Sequence, residues 1–346
     1  MIEKFPEKHY FNNHKEYYLG FREAFDLVCR EFDIRKQEKI AKEKFFIGDY
    51  NKSFNENQFM QSACELSVGC YYVKNPDLVI EPEVKLNRPD SDKDVDWQIR
   101  YKGFTFNLEV KCSDENEFFL ENQVIDGAGK DKILKLIFSG RVPLPNYAKE
   151  IFKEIASQAN TGLIIPKHTD NRMKDYLVEA NEKVGKHPDT NTLNVLIVAC
   201  GHFANMQEWH GYLYANEGLF TSSSFWDRDS YKNVDGVLLT TLRYNHQHNF
   251  ARRKESWDLS SSFNIFFRNP NSRSNIQPEI IQAFLDITPN YTDEFLAFAP
   301  IATTDVPSND SSAFPITHFC RAALSQENRD YYWPNSPYHE SNEGNA

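Results

Sequence analysis

The sequence predicts an α/β fold with a mixed central β-sheet flanked by helices. Two near-continuous apolar runs, LNVLIVACG at 193–201 and DGVLLTTLRY at 235–244, are typical of strands covered on both faces. A segment with period-two alternation of apolar and polar residues at 94–112 predicts two further strands. Helical segments lie between these strands, which favours a mixed sheet over an all-α or all-β fold.

The remaining segments suggest three parts of the chain. Residues 14–46 are rich in helix-forming residues and predict an N-terminal helical extension over 1–53. Residues 54–250 form the core, with predicted helices at 57–74 and 171–185. Residues 251–346 form a C-terminal extension packed on the core, irregular after about residue 301 and ending in a mobile tail.

Composition restricts the class of protein. The chain has 346 residues, of which 40% are hydrophobic, and this content excludes wholesale disorder. It has neither an apolar leader nor an apolar run of about 18 residues, so we expect a soluble, cytoplasmic protein that does not bind membranes. The six cysteines form no CxxC pair, which argues against a zinc knuckle or a disulfide framework. The net charge of −11 argues against nonspecific coating of nucleic acid.

The alternating segment at 94–112 predicts a β-hairpin with one apolar face. A two-residue turn at Lys102-Gly103 sets Trp97 opposite Leu108 and Asp96 opposite Glu109. A slip of one residue would place apolar residues opposite polar ones, so the parity of the register is well determined.

Two carboxylates that face each other on a sheet repel. A hard divalent cation removes that repulsion, and Mg²⁺ prefers carboxylate oxygens and a nearby phosphate. Lys111 lies on the same face of the predicted hairpin as Asp96 and Glu109, where it can position a water molecule or offset charge. The alternative is the solvated outer face of an ordinary hairpin.

The spacing Asp96 … Glu109-Val110-Lys111 resembles the PD-(D/E)xK motif of the restriction-endonuclease-like nuclease superfamily. The resemblance covers Phe54 to Cys112 and extends loosely to about Tyr244. It implies that residues 54–250 form a restriction-endonuclease-like core.

The resemblance also implies roles for individual residues. Asp96 and Glu109 would bind Mg²⁺, with Mn²⁺ as a substitute, and the Val110 carbonyl would add a ligand. Lys111 would be catalytic. Glu65, in the helix before the hairpin, would complete the catalytic and metal-binding set.

One departure from the family pattern concerns the first aspartate. Pro89-Asp90 offers a literal Pro-Asp pair, but only Asp96 has the strand register to face Glu109. We therefore assign the metal role to Asp96, with Asp94 and Asp90 as lesser candidates.

Two basic groups are candidates for contact with nucleic-acid phosphates: Lys130 and Lys132 after a glycine-rich turn that leads into a predicted helix, and the run Arg252, Arg253 and Lys254. Solvated loops are the alternative for both. His246 and His248 are spaced like a metal pair on a strand, but no third ligand accompanies them.

We therefore expect a Mg²⁺-dependent nuclease that hydrolyses phosphodiester bonds, with a DNA endonuclease of restriction or antiphage defence as the leading hypothesis. A homodimer or a partner subunit would supply affinity for DNA if the chain's own basic groups do not. The alternative is a nuclease-fold protein that acts as a binding or scaffold subunit of a larger assembly. An RNA-cleaving member of the same superfamily ranks lower, because no motif for reading RNA is present.

Overall fold

The structure of the chain is a computed structural model. It describes residues 5–30, 32–48, 53–86, 93–113, 133–135, 150–151, 154–155, 158, 162–164, 169–184, 190–201, 203–215, 217–248, 251–272, 276–298, 316 and 319–320. The helices are α1 (Lys15–Val28), α2 (Ile34–Phe45), α3 (Glu56–Val73), α4 (Thr169–Val184), α5 (Phe203–Tyr214), α6 (Leu242–Gln247), α7 (Pro278–Ile287) and α8 (Thr292–Phe298). The strands are β1 (Val79–Lys85), β2 (Asp94–Tyr101), β3 (Phe104–Cys112), β4 (Ile133–Lys135), β5 (Gly162–Ile164), β6 (Thr192–Ala199), β7 (Gly236–Thr240) and β8 (Asn264–Arg268).

A six-stranded mixed sheet forms the centre of the fold, in the order β1-β2-β3-β6-β7-β8. The strands β3, β6 and β7 are parallel, and the remaining neighbours are antiparallel. Every residue of β6 and β7 is buried, as the apolar runs predict. The predicted α/β class with a mixed central sheet is therefore confirmed.

Helices cover both faces of this sheet. One face packs against α3 and α7 through residues such as Val195, Ile197 and Phe284. The other face packs against α4 and α5 through Leu196, Val198 and Trp209. The alternation along β6 explains its uninterrupted apolar sequence, because both faces meet a hydrophobic layer.

The hairpin of β2 and β3 has the predicted turn and register. Lys102 and Gly103 have φ values of 49° and 82°, and positive φ at both central residues is the requirement of a type I′ turn. The paired segment runs from Tyr101 opposite Phe104 to Trp97 opposite Leu108, so the predicted pair of Asp96 and Glu109 lies beyond its end.

Two parts of the chain differ from the sequence prediction. The segment beyond residue 250 contributes β8, which pairs with β7, so the central sheet continues into the predicted C-terminal extension. The second apolar run stops as a strand at Thr240 and continues as α6, so His246 lies in a helix rather than a strand. The fully buried His246 ring contacts the Tyr17 hydroxyl at 2.7 Å, which joins α1 to the core instead of forming a metal site.

The remaining predictions concern the segment after β3 and the ends of the chain. The glycine-rich turn is predicted to lead into a helix, but Ile133–Lys135 in this segment form β4, which pairs in parallel with β5. Lys130, Lys132, Asp90 and the predicted mobile tail lie outside the described residues. None of the helices described here combines the length and apolar character needed to cross a membrane.

Candidate functional site

The candidate site lies along the edge of β3 that follows Leu108, the last residue of this strand that pairs with β2. Here side chains bond the backbone of β3 in place of a neighbouring strand. The Asp96 carboxylate accepts a hydrogen bond of 2.6 Å from the Val110 amide. The Gln61 side chain, from α3, donates to the Val110 carbonyl at 2.8 Å and accepts from the Cys112 amide at 2.8 Å.

Close packing of α3 on the hairpin positions this edge. Gly69 lies against the Trp97 ring, and a Cβ atom there would come within 2.2 Å of it. The Trp97 indole donates a hydrogen bond of 3.1 Å to the Glu65 carbonyl. Glycine at position 69 therefore lets the helix approach β2 closely enough to bring Glu65 to the site.

Glu109 is buried, with 2% of its surface exposed, because α4 covers the polar face of the hairpin. The Lys183 ammonium contacts both Glu109 carboxylate oxygens, at 2.7 and 2.8 Å, and Lys111 lies 3.3 Å from one of them. Burial raises the pKa of the Glu109 carboxyl, and the charges of the two lysines offset only part of this effect. The alternative of a solvated hairpin face is therefore wrong for Glu109.

Asp96 has the most strongly perturbed carboxyl of the site. Burial, followed by the charges of Glu109 and Glu65, raises the pKa of Asp96 well above its ordinary value. Lys183 and the Val110 amide act in the opposite direction but do not cancel the shift. Asp96 thus lies in an electrostatic cluster with Glu109 and Glu65 in which its own negative charge is costly.

Lys111 bridges the buried carboxylate and the helix that covers it. Its ammonium lies 2.9 Å from the Glu179 carboxylate on α4 and 3.3 Å from Glu109. Burial by itself would lower the pKa of Lys111, but the two carboxylates outweigh it and raise that pKa. The amine is therefore held in its charged form.

A cleft of about 140 Å³ opens beside the cluster. Asp96 and Glu65 line it together with Asp94, Glu83 and Lys44. Lys44 lies 3.4 Å from the carboxylates of both Glu65 and Glu83. The cleft gives a small molecule or ion access to Asp96 and Glu65 from the side of α1 and α2.

Within the described residues, no group of three or more His, Cys, Asp and Glu side chains is arranged as a preformed metal site. Both Glu109 oxygens contact Lys183, and the Val110 carbonyl accepts from Gln61. The donor types and the raised pKa of Asp96 nevertheless fit a divalent cation, because a positive charge would relieve the repulsion among three carboxylates.

The structure brings together five of the residues singled out in the sequence: Asp96, Glu109, Val110, Lys111 and Glu65. Sequence reasoning missed Lys183, Glu179 and Gln61, which bind these residues directly. The spacing of Glu179 and Lys183 places them on one helical face. Nothing in the sequence indicates that this face covers the hairpin.

The basic run at 252–254 is divided by the fold. Arg252 is buried, donates to the His246 and Gln247 carbonyls at 2.7 Å each, and stacks on the Tyr10 ring. Its assignment to phosphate contact needs correction, because its guanidinium is engaged inside the protein. Arg253 and Lys254 are exposed, and Lys254 lies 2.6 Å from Glu23.

No family model, curated protein or solved structure matches this chain.

Proposed function

We propose that this protein is a Mg²⁺-dependent nuclease with a restriction-endonuclease-like core, a DNA endonuclease of restriction or antiphage defence. The proposal depends on one observation above all. Burial, together with the charges of the neighbouring Glu109 and Glu65 carboxylates, raises the pKa of Asp96 well above its ordinary value, beside the ammonium groups of Lys111 and Lys183. Clustered acidic groups with perturbed pKa values are typical of functional sites, and these residues also carry the motif resemblance.

Asp96, Glu109 and Glu65 would hold the cation, with the Val110 carbonyl as a further ligand. When bound, Mg²⁺ or Mn²⁺ lowers the pKa of a bound water and stabilises negative charge on a phosphoryl group. Lys183 contacts both oxygens of Glu109, so its ammonium competes with a cation for this carboxylate.

Lys111 would act electrostatically. A charged ammonium cannot accept a proton from water, and the raised pKa of Lys111 keeps it charged at neutral pH. Its role would be to orient the attacking water or to stabilise the negative charge that develops on phosphorus. Lys111→Arg should therefore retain more activity than Lys111→Met.

Binding of nucleic acid requires a positively charged surface, and a chain with a net charge of −11 presents such a surface only locally. Arg253 and Lys254 are the exposed members of the basic run, and Lys130 and Lys132 remain candidates from the sequence. A second copy of the chain or a partner subunit would provide the rest of the affinity.

Cleavage of supercoiled plasmid in Mg²⁺ tests the activity. Wild type should nick the plasmid, and Asp96→Asn, Glu109→Gln and Lys111→Met should each lose about 100-fold or more. Glu182→Gln is the matched control, because Glu182 also lies on α4 but is exposed and pairs with Lys93 instead of a residue of the site. Activity retained by all three site variants, or unaffected by chelation of the metal, refutes the proposal. Linear, single-stranded and RNA substrates in parallel identify the nucleic acid.

A phage challenge tests the defence role separately. Cells that express the wild type should resist infection better than cells that express Lys111→Met. Equal plaque counts for the two remove the defence role while leaving the plasmid result to decide the chemistry.

The second candidate is a nuclease-fold subunit that binds or scaffolds a partner without catalysis. It is favoured because Lys183 and Gln61 already satisfy Glu109 and the Val110 carbonyl without a metal. Calorimetry with Mg²⁺ or Mn²⁺ discriminates between the two. A scaffold gives no heat that depends on Asp96, whereas the nuclease gives heat that Asp96→Asn abolishes.

A further inference from the structure

Two free cysteines meet beside the carboxylate cluster. The sulfur atoms of Cys64 and Cys112 lie 3.8 Å apart, and both residues are free thiols. Cys64 directly precedes Glu65 in α3, and Cys112 directly follows Lys111 in β3. The contact therefore connects the two elements that carry the candidate site.

The surroundings of the two thiols differ. Cys112 is partly exposed, and a guanidinium nitrogen of the buried Arg243 lies 3.8 Å from its sulfur. Cys64 is fully buried, so a peroxide from solvent reaches the sulfur of Cys112 first. This asymmetry suits an attacking Cys112 and a resolving Cys64.

We propose that Cys64 and Cys112 form a redox-active dithiol that a hydroperoxide oxidises to a disulfide. The Cys112 thiolate attacks one peroxide oxygen, the O–O bond breaks, and hydroxide leaves as the sulfur becomes a sulfenic acid. The Cys64 sulfur then attacks the Cys112 sulfur, an S–S bond forms and the S–O bond breaks. The departing hydroxide takes the Cys64 proton and leaves as water. Sulfur loses two electrons in total, and the peroxide gains them.

The geometry requires only a small movement. A disulfide has an S–S distance of about 2.05 Å, so the two sulfurs approach by less than about 2 Å. Gln61 already bridges α3 and β3 through the Cys112 amide at 2.8 Å. A disulfide would add a covalent link one residue from Glu65 and one residue from Lys111, and so would restrict how these groups adjust around a ligand.

Differential alkylation of the full chain tests the dithiol without reference to catalysis. After treatment with hydrogen peroxide, two of the six thiols should resist alkylation under denaturing conditions, and dithiothreitol should restore them. Mass spectrometry should show one linked peptide pair that contains Cys64 and Cys112. Trypsin leaves Cys64 and Cys70 in one peptide, so Cys70→Ala is measured alongside to identify the partner.

Two variants complete the test. Cys112→Ala, at the partly exposed position, should abolish the linkage, and Cys29→Ala, at a buried position elsewhere, should leave it unchanged. Linkage between other cysteines, oxidation of Cys112 to an acid without linkage, or six thiols that remain free would each overturn the proposal.

The effect on the site rests on the proposed nuclease function. Peroxide should reduce the heat of Mg²⁺ binding and the plasmid cleavage of the wild type, and it should spare Cys112→Ala. If the reduced wild type neither binds Mg²⁺ nor cleaves DNA, the nuclease proposal fails, and the alkylation result still decides the dithiol.

Discussion

Removal of the Lys183 ammonium should destabilise the protein through Glu109. Loss of one partner of a buried ion pair costs about 3–5 kcal/mol, because the other charge remains buried. Lys111 stays 3.3 Å from Glu109, and 18% of the Lys183 side chain is exposed, so part of the compensation survives. We therefore expect Lys183→Met to lower the free energy of unfolding by about 2–3 kcal/mol at pH 8.

The loss should depend on pH with a defined sign. Burial already raises the folded-state pKa of Glu109 above its ordinary 4.5, and Lys183 is the largest influence that lowers it. A group with a raised folded-state pKa contributes its full stability below the unfolded pKa and loses it as the pH rises through the folded pKa. Without Lys183 the pKa of Glu109 rises further, so the destabilisation should be smaller at pH 5 than at pH 8, by about 1 kcal/mol.

Urea unfolding at the two pH values measures this effect. Lys93→Met is the matched control, because Lys93 also lies 2.7 Å from a glutamate of α4, Glu182, but both side chains are more than half exposed. It should cost less than about 1 kcal/mol. The double variant Glu109→Gln with Lys183→Met should recover much of the stability. An equal loss at both pH values, or no recovery in the double variant, refutes the reasoning.

Three further predictions concern the site and its support. Asp96→Asn removes a carboxylate whose charge is costly in the folded protein. At pH 8 and in the presence of a metal chelator, the variant should therefore melt at no lower temperature than the wild type. A clear drop in its melting temperature would contradict this. Gly69→Ala places a Cβ within 2.2 Å of the Trp97 ring and should lower the free energy of unfolding in urea by about 1–3 kcal/mol. Gly211→Ala, with open space around it, should be neutral or stabilising. Equal effects of the two substitutions would show that the close approach of α3 to Trp97 is unimportant. Arg252→Met should lower the urea midpoint of unfolding, because the His246 and Gln247 carbonyls lose their hydrogen-bond donor. Lys254→Met, at an exposed ion pair, should leave the midpoint unchanged. A larger loss for Lys254→Met than for Arg252→Met would contradict the inward position of Arg252.

The sequence by itself determined the fold class and the local geometry of the hairpin. Alternation with period two specifies which face of each strand is apolar, and a register slip would expose that face, so the pairing of Trp97 with Leu108 follows from local pattern. The turn at Lys102-Gly103 and the buried strands β6 and β7 follow in the same way. The pairing of the two strands ends at Trp97 and Leu108, so the hydrogen bond from the Val110 amide to Asp96 lies beyond the register that the pattern specifies.

Only the tertiary structure decided which groups surround these carboxylates. Lys183 lies 74 positions after Glu109 in the chain, and Gln61 lies 49 positions before Val110, so no local period relates them. Their positions depend on how α4 and α3 pack on opposite faces of the sheet, which is set by the sum of many long-range hydrophobic contacts. For the same reason a basic run of three residues does not reveal that Arg252 points inward while Lys254 stays at the surface. Side-chain chemistry can be read from a local pattern, but burial and partners belong to the packed fold.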